Sequence, residues 1–87
     1  MHDASPQLAA FAKTLRKLRR DRELSQDALA DLSGVTAKHI GEIERANKDP
    51  RVTTVLRLIE GLDMPPAEVF QKVGEQLERL AKVSART

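Results

Sequence analysis

The chain has no cysteine, which excludes disulfides, thiolate chemistry and zinc-finger ligand sets at once. Histidine is nearly as scarce. His2 and His39 are too few and too far apart to suggest a metal site, and no cofactor is expected. No apolar run approaches the roughly 20 residues that a membrane span needs, and the N-terminus lacks a signal-peptide pattern. The expectation is a cytoplasmic protein with no membrane partner. Strand-type alternation, internal repeats and low-complexity stretches are also missing. His39 and Glu42 share a helical face, a pairing that in other company would suggest acid–base work. Nothing else offers a nucleophile, a phosphate loop or an apolar pocket, so His39 reads as a surface or backbone-contacting residue and no enzyme is expected.

What is present is ordinary in amount and uneven in distribution. The 87 residues suffice for one domain and not two, with a core so modest that a partner subunit would help it. Hydrophobic residues make up 40% and charged residues 32%, a globular balance rather than a disordered one. Net charge is only +2. Met1–Leu24 carries six basic against three acidic residues, giving +3, whereas Ser25–Pro50 carries three against five, giving −2. The remainder, six against five, gives +1. Such a balance permits a polyanionic partner without requiring one.

Apolar residues recur at helical spacing throughout. Ser5-Pro6 reads as a capping serine followed by proline at the first helical position, opening a helix that runs to about Arg22. Leu8, Phe11, Leu15 and Leu18 share its inner face, and a basic cluster covers its outer one. On the run alone, that cluster reads equally well as solvated surface. Ser25 caps a short helix, Gln26 to about Ser33, with Asp27 in its first turn at the positive end of the dipole. Gly34 follows, where the chain can turn left-handed without a Cβ penalty. Thr36 caps a third helix, about Ala37 to Ala46, with Ile40 and Ile43 inward. Asn47-Lys48-Asp49-Pro50 is a polar loop ended by proline. Thr53 is expected to cap a fourth helix that carries Val55, Leu56, Leu58, Ile59 and Leu62 and stops around Gly61. Pro65-Pro66 restart the chain into a fifth, about Ala67 to Val83. Residues 1–4 and 84–87 read as flexible ends around one domain, 5–83.

The second and third helices meet the conditions for two short helices crossing steeply at a tight turn. Ala30 is small where the partner crosses, Leu29, Val35, Ile40 and Ile43 point inward, and Gly34 tolerates positive φ. The outer face of the third helix carries Ala37, Lys38, Gly41, Glu42 and Arg45, all small or polar and free to enter a groove. One such feature alone fits a plain scaffold as well. All of them in register over twenty or so residues point to nucleic acid.

The run LRKLRRDRELSQDALADLSGVTAKHIGEIERANKDPRVTTVLRLIEGLDMPPAEVF, Leu15 to Phe70, resembles the phage Cro-and-repressor type of helix-turn-helix domain, also called the xenobiotic-response-element family. Its most specific parts are LSQDALA, SGVTAKHIGEIERA and TVLRLIEGLDMPPAEVF. Among the branches it looks most like short stand-alone regulators, including restriction-modification controller proteins. The resemblance implies an all-α, five-helix lambda-repressor-like bundle with a central helix-turn-helix and an extended C-terminal helix. It also implies a sequence-specific transcriptional regulator of double-stranded DNA, acting as a homodimer on a (pseudo)palindromic operator and nucleoid-associated when bound. Gln26 matches a glutamine that commonly touches a phosphate or a nearby base edge. Thr36, Ala37, Lys38 and Glu42 match the groove-facing residues of the recognition helix. Chemically, Lys38 can donate to guanine O6 and N7, and Glu42 can accept from cytosine N4. Arg45, Asn47 and Lys48 match the loop along the backbone, and Arg51 is placed to reach a phosphate or the minor groove. Arg19 and Glu44 match a pair that bridges the first and third helices in some members. Two positions depart from the pattern. Ser33 stands where alanine or an apolar residue is usual, and the Glu42 carboxylate repels phosphates unless a cytosine amino group receives it.

The fifth helix invites a second reading. Phe70, Val73, Leu77 and Leu80 recur at three, four and three, with Ala81 alongside. Val69, Phe70 and Val73 lie near enough to the bundle to be plain core, while Leu77 and Leu80 extend past it. Dimerisation through Phe70, Val73, Leu77 and Leu80 is the expectation, with an intramolecular fold-back as the alternative. Two rival functions remain on sequence grounds. One is an antitoxin that neutralises a protein toxin and autoregulates its operon; the other is a protein-interaction module without an operator of its own.

Overall fold

The computed structural model describes residues 5–85; residues 1–4 and 86–87, expected to be flexible, lie outside the described part. Among the described residues there are five helices and no strand: α1 Pro6–Asp21, α2 Gln26–Ser33, α3 Ala37–Glu44, α4 Val52–Leu62 and α5 Pro66–Ala85. The all-α architecture matches the expectation. Three helices begin as their sequences indicate. The hydroxyls of Ser5, Ser25 and Thr36 accept from the backbone N–H groups of Leu8 (3.1 Å), Ala28 (3.0 Å) and His39 (3.1 Å). Such caps are worth about 1 kcal/mol each.

The fourth helix departs from the reading. Its N-cap is Arg51, not Thr53, and no side chain caps it. The helix starts two residues earlier, with Val55 N–H bonded to the Arg51 carbonyl at 3.0 Å, and the added residues Val52 and Thr53 are exposed. It also runs past Gly61 to Leu62, and Asp63 closes it in the left-handed region at φ 55°. At the other end of the bundle α5 continues to Ala85, two residues beyond the expected stop.

Helix α3 is shorter than expected because Ala46 lies outside it, at φ 58°. Ala46 N–H bonds to the Ile43 carbonyl and Asn47 N–H to the Glu42 carbonyl, each at 2.9 Å, the paired bonds that seal a helix end around a left-handed residue. Glu23, at φ 57°, closes α1 the same way, with Glu23 N–H on the Arg20 carbonyl and Leu24 N–H on that of Arg19. Only Gly34, φ 75°, gives such a position to glycine.

Helix α1 packs chiefly on α5 and also on α3, while α2 packs on α4 and α3. The core between them is Leu15, Leu18, Leu29, Val35, Ile40, Ile43, Leu58, Ile59, Leu62 and Val69. Burying each such aliphatic side chain contributes about 1.5–3 kcal/mol before chain entropy is counted. Phe11, Ala30, Val55 and Val73 flank it. Phe70, read both as plain core and as part of the self-contact, points outward at 48% exposed, and Leu56 on α4 is 39% exposed. The tightest approach is between α2 and α4. A methyl group on Gly61 would come within 2.9 Å of the Ser33 Cβ and 3.0 Å of the Leu29 Cδ1. Ser33, the first departure from the family pattern, is small enough for this contact, and its hydroxyl accepts from Val35 N–H at 3.1 Å. Serine thus packs against α4 and supports the turn together.

Candidate nucleic-acid interface

Helices α2 and α3 are joined by Gly34-Val35-Thr36, and one largely buried ion pair ties α3 to α1. Arg19 on α1 donates from Nε to Glu44 Oε2 at 2.7 Å and from Nη2 to Oε1 at 2.9 Å. Its Nη1 donates to the Leu24 carbonyl at 2.8 Å. The two side chains are only 10% and 3% exposed, so this is a two-pronged, largely dry pair. The hydrogen bonds Arg19 donates to Glu44, together with the carboxylate's negative charge, raise the Arg19 pKa above its ordinary value, outweighing the opposing effect of desolvation. Arg19 remains cationic at every relevant pH. The bridge expected between the first and third helices is therefore present, and Glu44 is structural.

Gln26 joins the same network. At the first position of α2, its Nε2 donates to Glu44 Oε1 at 3.2 Å. The structure corrects the reading of Gly41 as an open, groove-facing residue. Gly41 is buried, and a methyl group there would lie 3.1 Å from Arg45 Nη1 and 3.4 Å from Gln26 Oε1. The side chains of Gln26 and Arg45 thus lie across it. Helical spacing accounts for Arg45, one turn on along the same helix, but not for Gln26, which comes from α2.

The remaining residues expected at the interface form an open margin around this centre. Lys38 is exposed and Glu42 half-buried, one turn apart on α3. Thr36 is exposed at the helix start, and Ala37 beside it is half-buried. Arg45, Asn47 and Lys48 follow α3 on an exposed stretch, and Arg51 is exposed at the start of α4. Among the described residues, none of Lys38, Glu42, Arg45, Lys48 and Arg51 forms an ion pair. His39 is half-buried, and its Nε2 is enclosed with no hydrogen-bond partner among the described residues. It therefore neither lies open on the surface nor bonds to the backbone through that nitrogen.

A short helix with a polar outer face, set by a glycine turn and an ion-paired frame, defines the helix-turn-helix class. The sequence profile described as the helix-turn-helix domain matches residues 10–70, and the chain belongs to that family. It is 35% identical over 68 residues to the HTH-type transcriptional repressor RghR of Bacillus subtilis (strain 168), covering 77% of this chain and 50% of RghR. The chain thus spans half the length of that relative. The restriction-modification controller protein C.AhdI from Aeromonas hydrophila superposes with a TM-score of 0.68 at 37% identity, covering 71% of this chain and 94% of that one. The controller protein C.Esp1396I, solved as a tetramer with its natural 35 base-pair operator, gives a TM-score of 0.81 at 20% identity. That match covers 84% of this chain and 96% of that one and is a likeness of fold.

Proposed function

We propose that this chain is a transcriptional regulator that binds double-stranded DNA by placing α3 in the major groove. The observation that carries the reading is the outer margin of α3, where Lys38 and Glu42 stand without ion-pair partners on a helix locked by the Arg19–Glu44 pair. Rigid support under such polar groups is what base readout requires, because a helix already fixed in place adds no backbone-ordering cost on binding. In this reading Lys38 reads guanine and Glu42 a cytosine amino group. Thr36 and Ala37 fit the groove wall, Gln26 holds a phosphate or base edge, and Arg45, Asn47, Lys48 and Arg51 follow the backbone. RghR is named a repressor and C.Esp1396I was solved on an operator, and both are consistent with this assignment. On DNA, the protein resides at the nucleoid.

The regulator works as a homodimer on a (pseudo)palindromic operator. One domain of this size touches too few base pairs to discriminate among genomic sites, whereas two recognition helices about 34 Å apart read two successive turns. The self-contact proposed from the sequence uses Phe70, Val73, Leu77 and Leu80. Val73 flanks the monomer's own core and Leu80 is half-buried beside α1, so Phe70 and Leu77 carry the outward part. Gly74 lies between them, and a methyl group on it would meet nothing within 4 Å, which leaves room for a second helix. Val52 and Leu56, exposed on α4, extend the apolar area available.

Selection of bound duplexes from a random pool tests the whole reading. The expected outcome is a two-fold symmetric site, and Lys38→Ala then relaxes preference at one base pair per half-site at a cost of about 1–3 kcal/mol. Recovery of no consensus, or of one unchanged by both Lys38→Ala and Glu42→Gln, overturns it.

A further inference from the structure

A second concave surface lies away from the residues assigned to DNA. It is a groove of about 930 Å³ between α1 and α5. Leu18, Thr14 and Leu80 contribute to its floor, and long cationic side chains rise around it: Lys13, Arg16, Lys17 and Arg20 from α1, Lys72 and Arg79 from α5. Two carboxylates also line it. Asp21 is taken up by Lys17 at 2.8 Å, and Glu75 accepts from Gln71 at 3.2 Å. Among the described residues, the other five cations have no ion-pair partner. The basic cluster of α1, which as sequence reads equally as solvated surface, thus faces a matching pair of cations on a different helix.

We infer that this groove docks an acidic, amphipathic helical segment of a partner protein. Three features select that occupant. The charge is strongly one-sided and calls for carboxylates or phosphates. The floor combines Leu18 and Leu80 with Thr14, whose hydroxyl already donates to the Ala10 carbonyl, so leucines cover it better than a phosphate backbone does. The surface is a furrow between two packed helices, a shape that admits one more helix of about 10–12 Å diameter; a duplex, twice as wide, cannot reach its floor. The mode is a helix laid in a groove, with acidic residues toward the rims and apolar ones toward Leu18 and Leu80. None of these residues is among those assigned to the operator, so partner and DNA can be held at once. The groove also lies on the opposite flank of α5 from Phe70 and Leu77 by helical spacing, so it leaves the outward part of the self-contact free; half-buried Leu80 is the one residue common to both.

The test uses the full chain and a synthetic peptide of about 16 residues, roughly 24 Å as a helix, with Glu and Leu patterned on opposite faces. A second peptide replaces every Glu by Gln, and a short non-operator duplex is the third probe. Backbone amide shifts are followed during titration. The expected result is saturable binding of the Glu peptide with shifts confined to α1 and α5. Affinity should fall at least about tenfold for the Gln peptide and for the double variant K72E/R79E, as expected for rim charges facing carboxylates. Both substituted residues are exposed, and circular dichroism checks that the variant keeps its fold; K72Q/R79Q provides a milder second variant with a smaller loss. Equal binding of the Glu and Gln peptides overturns the inference, as does failure to saturate at millimolar peptide. Displacement of the peptide from α1 and α5 by the duplex also overturns it and makes the groove a nucleic-acid surface. Operator affinity measured in parallel should fall far less than peptide affinity in K72Q/R79Q, where DNA feels only the general loss of two charges, which separates this outcome from failure of the DNA-binding reading.

Discussion

Around α2 and α3 the interior is closed on every side. Leu29, Ile40 and Ile43 are fully buried, Gly61 presses on Ser33, and the Arg19–Glu44–Gln26 network joins three helices. Among the α5 residues whose side chains are described, only Val69 reaches comparable burial; Val73, Leu77 and Leu80 are half-covered, and Phe70 faces outward. Similar chemistry has different consequences in the two regions. Arg19–Glu44 and Lys17–Asp21 have nearly equal lengths, 2.7 and 2.8 Å, but the first is largely buried and the second is 72% and 55% exposed. Gly61 has no room for a methyl group, and Gly74 has nothing near it. The α2–α3 unit is closely packed, while α5 and the outer face of α1 leave apolar and basic side chains exposed.

The largest expected effect tests that close packing. Arg19→Ala leaves the Glu44 carboxylate buried without its partner and should cost about 3–5 kcal/mol, whereas Lys17→Ala should cost less than about 1 kcal/mol. Urea unfolding of both variants measures the contrast; equal losses would mean that the buried pair does not organise the domain. Next in size is the pair of glycines. Gly61→Ala must push α2 from α4 and should lose about 1–3 kcal/mol. Gly74→Ala should instead gain up to about 1 kcal/mol from improved helix propensity, unless a second copy already occupies the space. Thermal melts followed by circular dichroism decide, and a cost at Gly74 that grows with protein concentration would point to that second copy.

Phe70→Asp should change assembly more than stability, because the ring is half exposed within the monomer. Sedimentation should show a monomer with its helix content retained. A variant that still dimerises would move the self-contact to Val52 and Leu56 on α4. The smallest expected effect concerns Ala46, which closes the recognition helix at a positive φ. Ala46→Gly relieves the Cβ penalty of that region and should stabilise by about 0.5–1 kcal/mol. A loss in denaturant midpoint would show that the methyl group packs against something more valuable than the strain it causes.

Much of this molecule follows from local rules. Ser5, Ser25 and Thr36 cap helices because a hydroxyl next to a helix start needs only the adjacent backbone. Gly34 turns the chain because it alone tolerates that φ cheaply, and the inward isoleucines of α3 announce themselves by spacing. The Arg19–Glu44 bridge was legible only through family resemblance, since 25 residues separate its ends. What remained hidden depends on contacts between distant segments. Whether Leu56 and Phe70 face in or out depends on how far neighbouring helices extend over them. Gly41 is covered by Arg45 from its own helix end and by Gln26, which crosses from another helix. The basic residues of α1 were countable in the sequence, but their convergence with Lys72 and Arg79 into one furrow required α5 to fold back beside them. Sequence alone determined where the helices are, because capping and periodicity act within a turn or two. Tertiary structure decided which of their faces stay open, because burial is set by whichever element happens to lie opposite.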